Sequence, residues 1–158
     1  MTIQRVQLEA ELTRLLQPQL FRDYCPNGLQ VQGKNEINKL VTGVTASAAL
    51  IESALDAGAD CLLVHHGYFW KGEDQTITGL KKTRVEKLLA SQLNLFAYHL
   101  PLDMHKEFGN NVELGRLLGF QFEAATGRPG DPEIVFIGKL AQPTTLEALS
   151  AQIDSSLQ

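Results

Sequence analysis

Apolar positions along this chain recur with two periods, and the switches between them mark out the elements. Residues 3–16 place Leu8, Leu12, Leu15 and Leu16 at helical spacing, with Thr2 set to cap the first turn and Pro18 to stop the helix. Pro26-Asn27-Gly28 reads as a turn, because proline presets φ and Asn-Gly accepts positive φ; residues 29–32 then read as a short strand or bulge. Compact apolar runs at 39–44, 62–64 and 93–98 have the length and near-continuity of buried strands. Between the first two runs, Thr45 or Ser47 caps a helix that continues to about residue 57, with Gly58 just past its end. Residues 80–91 form a second, basic helix that buries Val85, Leu88 and Leu89. Strand, helix and strand at this spacing make a βαβ unit with a right-handed crossover.

Further on, Asn110 and Glu113 form a capping box for a short helix ended by Gly119. Residues 124–132 are a Gly/Pro-containing connection and 134–140 a strand. Thr144 and Glu147 cap a last helix whose stripe is Leu146, Leu149, Ile153 and Leu157. The expected fold class is α/β. A βαβ-based three-layer lobe over residues 1–125 would carry the chemistry, and residues 126–158 would begin a second, related α/β lobe. That helix reaches Gln158 without a stop signal, so the chain is expected to end inside the second lobe.

Composition narrows the class. Apolar residues make up 44% of the 158 residues and charged residues 20%, as in soluble globular domains. The net charge of −4 gives no electrostatic support for nucleic-acid binding. There is no apolar run of membrane-spanning length and no signal-peptide core, so a cytoplasmic protein is expected. Cys25 and Cys61 are too few and too far apart for a disulfide framework or a C-x-x-C zinc site.

Chemistry gathers at the ends of two strands. The run Leu62-Leu63-Val64 leads into His65-His66-Gly67, and the run 93–98 leads into His99-Leu-Pro-Leu-Asp103. Adjacent side chains in a regular strand point to opposite faces. At a strand end that breaks into a turn both histidines can enter one cavity, each at its own ion, and Gly67 would permit the turn by taking positive φ. The competing reading is two solvated histidines in a loop. In α/β sheets, sites lie outside the carboxyl ends of strands, so His65, His66, His99 and Asp103 can converge. Two histidines and a carboxylate suit Zn, Fe, Mn or Co but not calcium. His99 can be a direct ligand, a hydrogen-bond donor to a ligand, a general acid/base or a buried structural histidine. His105 reads as a surface residue. The loop Tyr68-Phe69-Trp70 either covers a strand end or walls the cavity, and Lys81, Lys82, Arg84 and Lys87 are either a solvated helix face or a face for an anionic substrate.

Pro26-Asn-Gly-Leu-Gln-Val, Val41-Thr-Gly-Val-Thr-Ala-Ser, Val64-His-His-Gly, His99-Leu-Pro-Leu-Asp103 and Gly109-Asn-Asn111 together resemble, in order, the dinuclear metal-centre family of GTP cyclohydrolase type 2 homologues, the Nif-three-like proteins. The resemblance runs over roughly residues 20 to 120. It implies two related α/β lobes and a homohexameric ring with metal sites facing inward. It also implies two divalent metal ions (Zn, Fe, Mn or Co), with His65, His66 and Asp103 as ligands and His99 outside the ligand set. An acid/base or donor role is then expected of His99, because an imidazole titrates near neutral pH. The family's remaining ligands come from a His-x-x-x-Glu motif, which these 158 residues do not contain. The functional expectation is a metal-dependent hydrolase acting on a small-molecule, nucleotide-like or phosphoester substrate. The alternatives are a non-enzymatic, ring-forming metal-binding scaffold or partner protein, and a relic whose histidines bind nothing.

Overall fold

The computed structural model describes residues 2–127 and 133–157. The chain divides into two compact units, Met1–Pro101 and Leu102–Gln158. Both are built from helices and strands, so the α/β class expected from the sequence holds.

The first unit is organised on a four-stranded sheet. Its strands are β2 (Gly28–Val31), β4 (Leu40–Thr45), β5 (Cys61–His66) and β6 (Asn94–Ala97), in the order β2-β6-β5-β4. β4, β5 and β6 are parallel, and β2 joins β6 antiparallel with an irregularity between Leu29 and Val31. The apolar runs of β5 and β6 are buried because both are central strands: Cys61, Leu62, Leu95, Phe96 and Ala97 have no exposed surface. Helices α2 (Ala48–Asp56) and α3 (Gly79–Ala90) supply Ile51, Ala54, Val85 and Leu88 to the same core. Ser47 is the cap of α2, its hydroxyl accepting from the Leu50 N–H at 3.2 Å.

Local differences from the sequence pattern have local causes. Helix α1 (Arg5–Leu16) starts two residues later than its apolar spacing suggests. Ile3–Gln4 is instead a short strand, β1, paired with β3 (Glu36–Ile37). Gln4 is the cap residue, and its N–H donates to the Gln7 side chain at 3.2 Å. Thr2, the expected cap, bonds Asn38. Leu89 is 55% exposed rather than buried, because Val85 and Leu88 alone turn inward from α3. Three of the four basic residues of α3 make ion pairs: Lys81 with Glu73, Lys82 with Glu86 and Lys87 with Glu52.

Asp60 sits just before β5 and fixes that end of the sheet. Its carboxylate accepts from Lys34 Nζ at 2.6 Å and from the N–H groups of Asn38 and Lys39 at 2.8 and 3.1 Å. The fully buried Asn94 side chain completes the join. It accepts from the Gly33 N–H and donates to the carbonyls of Lys34 and Asp60.

A helical turn, α4 (Leu100–Asp103), follows β6. In the second unit, α5 (Asn110–Leu117) is followed by β7 (Phe120–Thr126), β8 (Val135–Leu140) and α6 (Leu146–Ser156). β7 and β8 pair antiparallel as a two-stranded sheet. The residue before α5 is Gly109, where a Cβ would lie 2.4 and 2.6 Å from the carbonyl oxygens of His105 and Leu102. Asn110 is therefore the first helical residue rather than the cap, and Glu113 pairs with Arg116 instead of closing a box. Thr145, not Thr144, caps α6, accepting from the Ala148 N–H at 3.2 Å. Of the expected connection 124–132, residues 124–126 belong to β7, and 128–132 lie outside the described residues. His105, expected at the surface, is half-buried: its Nδ1 accepts from the N–H groups of Glu107 and Phe108 at 3.2 and 3.1 Å.

Candidate metal centre

β5 runs through both histidines, and its register sets their neighbours. Thr45 of β4 lies opposite His66, and Ala97 of β6 lies opposite Val64. The Tyr98 N–H donates to the Val64 carbonyl at 3.0 Å, which carries Tyr98 alongside His65. The His65 Nδ1 then meets the Tyr98 carbonyl at 3.2 Å. A carbonyl only accepts, so this nitrogen carries the proton and the basic lone pair belongs to Nε2. The His66 Nδ1 meets the Thr45 hydroxyl at 3.2 Å.

Although consecutive along a strand, the rings of His65 and His66 come together, with centroids 4.3 Å apart. His99, just beyond β6, brings a third ring to 4.8 Å from His65 and 5.7 Å from His66. One nitrogen from each of the three imidazoles lies within 4.8 Å of the others. Imidazole nitrogens gathered at the carboxyl ends of neighbouring strands are donors of the type that suits a borderline-soft divalent ion. Asp103 closes α4 in the second unit, where its Oδ1 accepts from the Asn110 side chain at 2.8 Å.

Gly67 serves this site differently from the sequence expectation. It is not among the residues with positive φ; the left-handed residue of the loop is Phe69, at φ 64°. Gly67 is required by contact instead. A Cβ there would lie 2.1 Å from Gln30 Oε1 and 2.6 Å from Ala97 Cβ. Gln30 holds the loop by accepting from the Tyr68 N–H at 2.7 Å and donating to the carbonyls of Tyr68 and Pro26 at 3.1 and 2.8 Å. The Tyr68 hydroxyl donates to the Ala46 carbonyl at 2.6 Å. Trp70 is thereby set against the cluster, its ring edge-on to His99 at 4.9 Å and 5.9 Å from His66.

The sequence reading missed Asp23. Its side chain is 3% exposed, and its Oδ1 lies 2.7 Å from His99 Nδ1. Burial acts to raise its pKa, but hydrogen bonds from His99, Asn27, Leu100 and Tyr24 outweigh burial and hold it below the usual aspartate value. Asn27 holds the backbone at the same place, accepting from the His99 N–H at 2.7 Å. Asp23, Cys25 and His99 also bring one potential ligand atom each within 4.8 Å. Burial and the Asp23 charge push the Cys25 thiol up to about 11. Cys61 is fully buried and pushed up to about 12.

Among curated relatives, the GTP cyclohydrolase 1 type 2 homolog of Vibrio cholerae is 52% identical over 153 residues, covering 96% of this chain and 60% of that protein. The protein of the same name from Pseudomonas aeruginosa is 52% identical over 137 residues, covering 86% of this chain and 54% of the relative. Among solved structures, protein ybgI superposes with a TM-score of 0.92 at 43% identity, over 98% of this chain and 61% of the other. TTHA1606 from Thermus thermophilus superposes at 0.81 and 38% identity, over 97% and 61%. The chain thus spans less than two thirds of the length of these relatives. Residues 3–158 match the family described as Duf34/NIF3 (NGG1p interacting factor 3), and the chain belongs to that family.

Proposed function

We propose that this chain contributes His65, His66 and Asp103 to a centre of two divalent metal ions, and that the protein is a metal-dependent hydrolase of a nucleotide-like or phosphoester small molecule. The observation that carries the reading is the gathering of three imidazoles at two neighbouring strand ends. Nδ1 of His65 is engaged by the Tyr98 carbonyl and Nδ1 of His66 contacts the Thr45 hydroxyl, the kind of outer support that orients metal-binding imidazoles. The donor types fit Zn, Fe, Mn or Co. The relatives' name, GTP cyclohydrolase 1 type 2 homolog, agrees with a nucleotide-like substrate.

Divalent ions held there would lower the pKa of a water and polarise the reacting group. The chain's own residues would do the rest. Trp70, whose ring lies beside those of His66 and His99, would limit access of bulk water from that side. His99, beside the ligands but anchored to Asp23, is the group that accepts or returns a proton. Closing two sites takes more ligands than these three, and the working protein is a cytoplasmic homo-oligomer, a hexameric ring.

The test uses the protein as encoded. Bound metal is counted by elemental analysis, and turnover is followed across a panel of nucleotides and phosphoesters. His65→Ala is expected to lose one ion per chain and all metal-dependent turnover. Unchanged metal content in that variant would overturn the assignment. Full metal loading without turnover of any substrate would favour a ring-forming metal-binding scaffold.

A further inference from the structure

We propose that Asp23 is the positioning residue of this site. By accepting from the Nδ1–H of His99, it fixes the imidazole tautomer in which Nε2 bears the lone pair, the atom at which His99 takes up its proton. This rests on the acid/base reading of His99.

The argument comes from counting donors and acceptors. Oδ1 of Asp23 accepts from the Tyr24 N–H at 2.6 Å and faces His99 Nδ1 at 2.7 Å. Oδ2 accepts from the Asn27 amide and the Leu100 N–H, both at 2.9 Å. Backbone N–H groups and the amide nitrogen can only donate. Both oxygens are already acceptors and the carboxylate is almost wholly shielded from water, so the bond to His99 takes its proton from the imidazole. A neutral imidazole that donates from one nitrogen must accept at the other. The ring is also held from behind, because the His99 N–H donates to Asn27 Oδ1 at 2.7 Å. One short segment, residues 23–27, therefore fixes both the backbone and the ring of His99.

A purely structural role would predict something else. Asp23 would then be glue between its loop and the end of β6, and Asp23→Asn would matter only as far as it loosened the loop. Asparagine keeps its one oxygen where two donors, Asn27 and Leu100, need it, and so turns its NH₂ towards His99 Nδ1, which then has to accept. Retained fold with reversed tautomer is the signature of positioning.

The experiment is long-range ¹H–¹⁵N correlation of the histidine rings in the metal-free protein at about pH 8, above the ordinary histidine pKa. It is run on the wild type, Asp23→Asn and Asp23→Glu. Wild-type His99 should show a protonated Nδ1 and an unprotonated Nε2. Asp23→Asn should reverse this while leaving His65 unchanged, and Asp23→Glu should restore it. Loaded with zinc or manganese, Asp23→Asn should keep the wild-type metal stoichiometry, and any turnover should fall by roughly 100-fold or more, the general acid–base contribution. Wild-type His99 protonated at Nε2 would overturn the proposal even if no variant folds, as would an unchanged tautomer in a folded Asp23→Asn. If the wild type turns over nothing, the acid/base reading fails, and the ring spectra still decide whether Asp23 sets the tautomer.

Discussion

Gly67→Ala separates two explanations for a glycine that follows a pair of histidines. If Gly67 were there for its backbone freedom, alanine would cost about 1–2 kcal/mol, and the cost would be blind to neighbouring side chains. The structure says otherwise, because a Cβ at 67 would enter Gln30 Oε1 at 2.1 Å and Ala97 Cβ at 2.6 Å. The two contacts differ in how they yield. Gln30 can swing away, but only by giving up the bond it accepts from the Tyr68 N–H. Ala97 cannot move without its strand, since it is fully buried and paired with Val64 in the parallel ladder. Overpacking against a rigid neighbour costs about 1–3 kcal/mol. Losing the Tyr68 bond adds about 0.5–1.5 kcal/mol. The expected destabilisation is therefore about 1.5–4.5 kcal/mol, summing these terms. Urea unfolding followed by the fluorescence of Trp70, the single tryptophan, reads it within the same loop. Gln30→Ala completes a double-mutant cycle. In that background Gly67→Ala should cost about 1 kcal/mol less than in the wild type, because one of the two clashes has gone. A cost below about 0.5 kcal/mol, or a strictly additive cycle, would refute the contact argument.

Two further expectations concern stability. Asp60→Asn removes a charged acceptor from Lys34, Asn38 and Lys39 and should cost about 1–3 kcal/mol. The Lys34 bond foremost, working against burial and helped by the two N–H bonds, holds the Asp60 carboxyl below its ordinary value, so its contribution is present above the unfolded value and is lost as pH falls through the folded one. The stability of the variant, measured by urea midpoints from pH 7 downwards, should fall less steeply than the wild type below about pH 4, and parallel curves would contradict this. Helix α6 buries no residue completely and leaves Leu146 78% exposed, and Leu157 just past its end is 54% exposed. An 11-residue helix with so little burial is marginal, so in this 158-residue chain its amides should exchange far faster than those of β6; equal protection would sink the idea.

The parts of the fold visible in the sequence are those where a single physical demand acts on consecutive residues. β5 and β6 are central strands, so each has to be apolar on both faces, and the run of apolar letters shows it. Helix stripes are visible for the same reason. Helix starts are less so. Thr2, Asn110 and Thr144 are all good capping residue types, yet Gln4, Gly109 and Thr145 hold the positions. At Gly109 the decision came from two carbonyl oxygens where a Cβ would go, and at Gln4 from the preceding residues pairing with β3. Neither can be seen in a local window.

The candidate site divides along the same line. His65, His66 and His99 stand out because imidazoles at the ends of apolar runs are unusual letters in a predictable place. Asp23 does not, because aspartate in a turn before Pro-Asn-Gly is what turn chemistry alone would put there. Its partner is 76 residues away, and the two meet only because β2 pairs antiparallel with β6. That pairing sets Gly28 opposite Ala97, bringing the segment just before β2 to the segment just after β6. Asn27 then reaches the His99 N–H, and Asp23 the imidazole and the Leu100 N–H. The antiparallel strand on an otherwise parallel sheet thus has a chemical consequence. It delivers a carboxylate to the carboxyl end of β6, where a parallel strand in the same position would deliver the segment that follows it. An aspartate just ahead of a predicted antiparallel edge strand is therefore worth testing against any histidine that follows its neighbour strand.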